Sequence, residues 1–143
     1  QRLHRHNVNR RMNILSVTAF VKRHYKPARN WPAAAILRWL EWFQADRRMC
    51  VVEDAGRVVG LGIARCVSDA ETGKQQPYAH AEDAPVVFVD LTIAKAAGVM
   101  RGLWKAMRHR FGPRNHVAYE RSVRGPDLHS WSFNHMEGHV YGR

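Results

Sequence analysis

The chain is short of cysteine, of negative charge and of long apolar runs, and each shortage narrows what it can be. Its two cysteines, Cys50 and Cys66, lie apart in strand-like segments, in neither CxxC nor Cys/His spacing. That pattern excludes a cysteine-rich zinc site and reads as two buried free thiols, consistent with a reducing compartment. No stretch approaches the roughly 18 uninterrupted apolar residues of a membrane span. The N-terminus is basic, but no apolar signal-peptide core follows it. The expected location is therefore cytoplasmic, or the virion if the source is viral. No Walker loop, Rossmann fingerprint or nucleophile elbow is present, and there is no internal repeat or low-complexity tract. The chain opens on Gln1 rather than Met, as expected of a sequence that lacks its natural beginning.

Positive charge is what the chain has in excess. Across 143 residues, 23 Lys and Arg oppose 12 Asp and Glu, a net charge of +11. Such a field favours polyanions: nucleic acid, anionic lipid or a phosphate-rich cofactor. Plain solubility is the competing explanation. Four arginines and two histidines fall within residues 1–12, which read as a basic N-terminal arm, either phosphate-contacting or simply solvated. Residues 13–143 are long enough for one domain with its own core.

Hydrophobic spacing then sets the elements. Val17, Phe20, Val21 and His24 recur at helical spacing, with Ser16 or Thr18 as candidate caps and Pro27 as the stop. A second helix is predicted over Ala33–Ala45, where Ile36, Leu37, Leu40 and Phe43 form a stripe broadened by Trp39 and Trp42. Arg48–Val67 reads as a hairpin turning at Ala55-Gly56. Strict alternation places Cys50 and Val52 with Val59, Leu61 and Ile63, and sets Val58, Gly60, Gly62 and Ala64 on the other face. Those small residues leave room for a close neighbour. With both faces apolar, the sheet is expected to be covered on both sides, giving an α/β (α+β) layered domain. Ser68–Ala84 reads as a long exposed connection. His116–Val123 reads as a strand broken by Gly125-Pro126, and the remainder as a short strand or an irregular tail.

The most informative stretch is Ala84–Gly112. Val86–Ile93 is a β-branched apolar run, a buried strand. A turn, Lys95-Ala96-Ala97-Gly98, leads into an amphipathic helix carrying Val99, Leu103, Met107 and Phe111 on its inner side. Strand, tight turn and helix start in that order present unpaired N–H groups to an anion. Lys95 and Arg101 beside that end oppose the helix dipole, which makes sense if an anion binds. Asp90 sits within the strand. By alternation it shares a face with Val86, Phe88 and Thr92, opposite Val87, Val89, Leu91 and Ile93. Lost hydration raises the pKa of such a carboxylate and suits it to act as a general base toward an ammonium. A buried ion pair with an arginine is the equal alternative.

VVEDAGRVVGLGIARCV followed by VVFVDLTIAKAAGVMRGLWKAM resembles the second to fourth strands and following helix of the GNAT (GCN5-related N-acetyltransferase) superfamily. The resemblance covers roughly residues 13–123. It implies a mixed, mostly antiparallel central sheet with helices on both faces, and acyl transfer from coenzyme A to an amine. The family's Gln/Arg-x-x-Gly-x-Gly/Ala turn corresponds to Lys95–Met100, with Lys95 and Gly98 in place and Met100 departing from the small residue expected. By that resemblance Leu91, Ile93, Ala94, Lys95, Gly98, Val99, Met100 and Arg101 would hold acetyl-CoA or another acyl-CoA. Asp90 would be the catalytic base, and Tyr119, with Tyr141 as second candidate, the acid that returns a proton to the thiolate.

His129, His135, Glu137 and His139 match no zinc spacing, so no metal is expected. Two functions stay open: an acyl-CoA-dependent N-acyltransferase acting on an unidentified amine, or a non-catalytic basic binding protein on a degenerate GNAT-like fold, associated with nucleic acid or a virion assembly. Steep salt dependence would mark the second.

Overall fold

A computed structural model describes residues 7–8, 13–121 and 127–142. Its centre is a six-stranded sheet in sequence order: β1 (Asn7–Val8), β2 (Met49–Asp54), β3 (Arg57–Val67), β4 (Val86–Ala94), β5 (His116–Arg121) and β6 (Asp127–Ser132). All neighbours are antiparallel except β4 and β5. Within the predicted basic arm, Asn7 and Val8 pair with Glu53 and Val52 at the sheet edge. The rest of the arm and the Gly125-Pro126 break lie outside the described residues.

Helices cover both faces. On one, α1 (Ile14–His24) and α2 (Ala33–Gln44) pack Val17, Phe20, Val21, Ile36, Leu40 and Phe43 against Leu61, Ile63, Leu91 and Ile93. Asn13 caps α1 by accepting from the Leu15 N–H at 2.8 Å, so the cap precedes both serine and threonine candidates. On the opposite face, α4 (Val99–Phe111) and α5 (Phe133–Tyr141) bury Trp104, Phe111, Phe133 and Val140 over Ala64, Cys66, Val87 and Val117. Of the two readings of the C-terminal segment, the short strand is the one observed, as β6, and a helix that was not predicted follows it; Ser132 starts α5 by accepting from the His135 N–H.

The hairpin turns as predicted. Asp54 pairs with Arg57, and Ala55 (φ 52°) with Gly56 (φ 78°) occupy the two left-handed positions of a type I′ turn. Two bulges, however, overturn the strict alternation. Val52 pairs with Gly60 and Glu53 with Val58, leaving Val59 as an extra residue. Cys50 and Val52 consequently share a face with Gly60 and Gly62, beneath Val99 and Leu103 of α4. In β4, Val89 pairs with Ala64 and Leu91 with Ile63, so Asp90 is extra. Val86 and Phe88 therefore lie on the face of Leu91 and Ile93, while Val87, Val89 and Thr92 lie on the other.

The small residues of β3 admit α4, as expected. A Cβ at Gly60 would collide with Val99 and stand 3.3 Å from the Val52 Cβ, whereas one at Gly62 would meet Leu103 at an ordinary 3.5 Å. Gly60→Ala should destabilise the fold by about 1–3 kcal/mol through overpacking against a stiff valine. The urea midpoint should fall with unchanged slope, and Gly62→Ala should not reproduce it. Equal effects would contradict this packing.

Candidate functional site

The site starts where two strands part. β4 and β5 are paired only from Val86–His116 to Val89–Tyr119; β4 then continues through Asp90 to Ala94 with no β5 partner. The departure coincides with the bulge at Asp90, which bends and twists its strand. A cleft of about 650 Å³ opens there. Its walls are the free edge of β4, the inner side of α4 (Leu103, Trp104, Met107), Tyr119, and Met136 and Val140 of α5.

Asp90 reaches this cleft, but its carboxylate is already engaged. Arg65, 1% exposed, donates Nε to Oδ1 at 2.9 Å and an Nη2 hydrogen to Oδ2 at 3.1 Å. The remaining guanidinium hydrogens go to the carbonyls of Gly73 (2.6 Å), Gln76 (2.7 Å) and Ala79 (3.1 Å). The fork is fully satisfied, as a buried arginine requires. It ties the β4 bulge to the connection 68–84, which includes a short helix, α3 (Ala70–Gln75). That connection, predicted to be an exposed loop, thus supplies three acceptors to the interior. Burial pushes the Asp90 carboxyl up to about 6 against the pull of Arg65. At neutral pH it is an ionised, ion-paired carboxylate.

The turn after β4 takes the predicted form. Gly98 is left-handed (φ 82°), opens α4 and makes no side-chain cap bond. Leu91, Ile93, Ala94, Lys95 and Met100 line the cleft. Three other predicted cofactor residues do not. Val99 is fully buried against β2 and β3, and its N–H is engaged by the Ala96 carbonyl at 3.3 Å. Gly98 acts through backbone shape. Arg101 reaches across to Tyr141, donating to its carbonyl at 3.3 Å and lying 5.7 Å from its ring. Met100 is 41% exposed at the rim, so its side chain does not plug the interior.

Tyr119 stands at the strand separation, stacked on His129 with centroids 5.1 Å apart. Tyr141 lies outside the cleft lining. Sequence reasoning missed Tyr25, which follows α1, lines the cleft and has its hydroxyl pKa raised, first by burial and then by Glu120 and Asp90. Cys50 also lines the cleft, yet burial holds its thiol at about 12, which rules out a neutral-pH thiolate.

The histidine-rich end packs as aromatic rings: His135 and His139 stand edge-on to Trp131 at 4.5 and 5.2 Å. Among the described residues, the ligand atoms of Asp46, His80 and Glu82 do converge within 4.8 Å. A metal has little to gain there. Arg110 already donates to both Glu82 oxygens (2.6 and 3.1 Å), and its hydrogen bonds hold that carboxyl down at about 2. His80 Nδ1 accepts the Cys66 N–H, so Nε2 carries the hydrogen and donates to Glu82.

These features can be set beside known structures. The chain superposes on the loading GNATL domain of CurA from Lyngbya majuscula with a TM-score of 0.61 at 14% identity, over 83% of this chain and 67% of that one. It matches the GphF GNAT-like decarboxylase in complex with isobutyryl-CoA with a TM-score of 0.59 at 16% identity, over 82% and 65%. The fold is GNAT-like. A GNAT family acetyltransferase from Brucella melitensis in complex with acetyl-CoA agrees, with a TM-score of 0.55 at 11% identity over 91% of this chain and 89% of that one. The chain thus spans about two thirds of the first two structures and most of the third. No protein-family model matches it, and no curated protein matches it in sequence. The mixed, mostly antiparallel sheet with helices on both faces is the architecture predicted from sequence, now extending through residue 142. No helix among the described residues is long and apolar enough to cross a membrane.

Proposed function

We propose that the chain is an acyl-CoA-dependent N-acyltransferase that transfers an acyl group to an amine by direct attack on the thioester. The observation that carries this reading is the parting of β4 from β5 after Val89 and Tyr119, with the start of α4 at Met100 lining the same cleft. The free edge of β4 presents main-chain groups that a fifth strand would otherwise take. The amides of a pantetheine arm suit them, added as a strand is added to a sheet edge. The cofactor pyrophosphate then meets Lys95 and the N–H groups that follow Val99 at the start of α4. Backbone N–H groups between Leu91 and Ile93 polarise the thioester carbonyl. Asp90, ionised at neutral pH, takes the proton of the attacking amine, and Tyr119 protonates the departing thiolate.

Support in kind comes from two structural neighbours that hold acetyl-CoA and isobutyryl-CoA. The test is turnover: acetyl-CoA with a panel of primary amines, followed by release of free thiol. Thiol release that depends on amine and saturates is the expected result. Amine-independent hydrolysis alone would replace transfer with thioesterase chemistry.

A further inference from the structure

The cleft has a second cationic end that the acyl-CoA reading leaves unused. Met100 and Arg110 stand ten residues apart on α4, about 15 Å along its axis. Lys95 and Met100 mark one end of the cleft; Arg47, Arg48 and Arg110 line the other. Between them the lining combines apolar side chains, Val89, Leu103, Trp104, Met107 and Met136, with the polar groups of Asp90, Tyr119 and Glu120.

Two of the three arginines are committed. Arg110 donates to Glu82 and to the carbonyls of Arg47 (3.1 Å) and Asp46 (2.9 Å). Arg48, 9% exposed, donates to Asp46 and to the Trp42 carbonyl and lies 3.7 Å above the Trp42 ring. Arg47 differs. Its exposed guanidinium makes no hydrogen bond or ion pair among the described residues. Its backbone is left-handed (φ 55°), in the position where a helix-ending motif ordinarily places glycine. The motif is complete: the Arg48 N–H reaches the Phe43 carbonyl at 2.7 Å and the Arg47 N–H reaches that of Gln44 at 3.2 Å. Arginine there carries a steric cost that glycine would avoid, and among the described residues no hydrogen bond or ion pair of its side chain offsets it.

We propose that Arg47, with Arg48 and Arg110 behind it, is a subsite for a carboxylate on the substrate, a proposal that rests on the acyl-CoA reading above. Three arginines against Asp46 and Glu82 leave one net positive charge, with His80 neutral. That balance suits one carboxylate better than a doubly charged phosphate, whose place is the opposite end. The carboxylate is carried either on the far end of the acyl chain or on the amine acceptor.

Arg47→Gly separates this role from a structural one, because glycine fits the backbone better and the melting temperature should hold or rise. Calorimetry should show succinyl-CoA binding the wild type about tenfold more tightly than acetyl-CoA, with that preference gone in the variant and acetyl-CoA affinity kept, if the acyl chain carries the group. If the acceptor carries it, alanine should be acetylated with a KM about tenfold below that of alaninamide, and Arg47→Gly should abolish that difference. Absence of both preferences, or their survival in the variant, overturns the subsite while leaving the acyl-CoA reading intact. Failure of both thioesters to bind removes the two together.

Discussion

Arg65→Met is expected to cost about 3–5 kcal/mol of folding stability, because it strands a buried carboxylate and removes donors from three carbonyls at once. That is a large share of the roughly 5–15 kcal/mol that holds a small domain together. Asp90 is then the uncompensated charge. Its carboxyl is already pushed up to about 6 by burial, and without Arg65 it rises further. A carboxyl whose folded pKa lies above its unfolded 3.8 contributes stability at low pH and loses it as pH rises through the folded value. Below about pH 6 Asp90 is protonated in both folded proteins, so the variant's deficit relative to the wild type should grow as pH rises above 6 and shrink as pH is lowered through 6. Urea unfolding across that range measures it. Replacing both partners, Arg65→Met with Asp90→Leu, should recover most of the loss. A double variant as unstable as the single one would place the cost in the three carbonyls instead of the ion pair.

Asp90→Asn should lower turnover by about 10²–10⁴, the range for a lost general base, while acetyl-CoA affinity is retained. Asparagine still accepts from Arg65 Nε, so the bulge keeps one of its two bonds and the protein can be assayed folded. The wild-type rate should fall as pH drops through about 6, as Asp90 takes up its proton, and the variant should lack that limb. Undiminished turnover would confine Asp90 to the ion pair with Arg65.

The two cases show what sequence could and could not reveal. Helical stripes were legible because burial follows the 3.6-residue period, and the hairpin because Ala55-Gly56 is a turn-competent pair. The faces of β3 and β4 were not. In a strand apolar on both sides, an extra residue at Val59 or Asp90 leaves no break in the pattern, yet it reverses every side chain beyond it. Arg65 left a fainter trace, a charge on the same face as Leu61 and Ile63. Its partners are backbone carbonyls of a polar connection, and carbonyls have no sequence signature. The anion-ready turn was legible through Gly98. The cationic far end of the cleft was not, since Arg47 and Arg110 are 63 residues apart and meet only through α4 and the end of α2.

Calorimetric titration with acetyl-CoA tests the central claim most directly. The account predicts saturable binding of one cofactor per chain, with a matching rise in melting temperature, because a ligand bound only to the native state must stabilise it. No heat and no stabilisation at millimolar acetyl-CoA would contradict it.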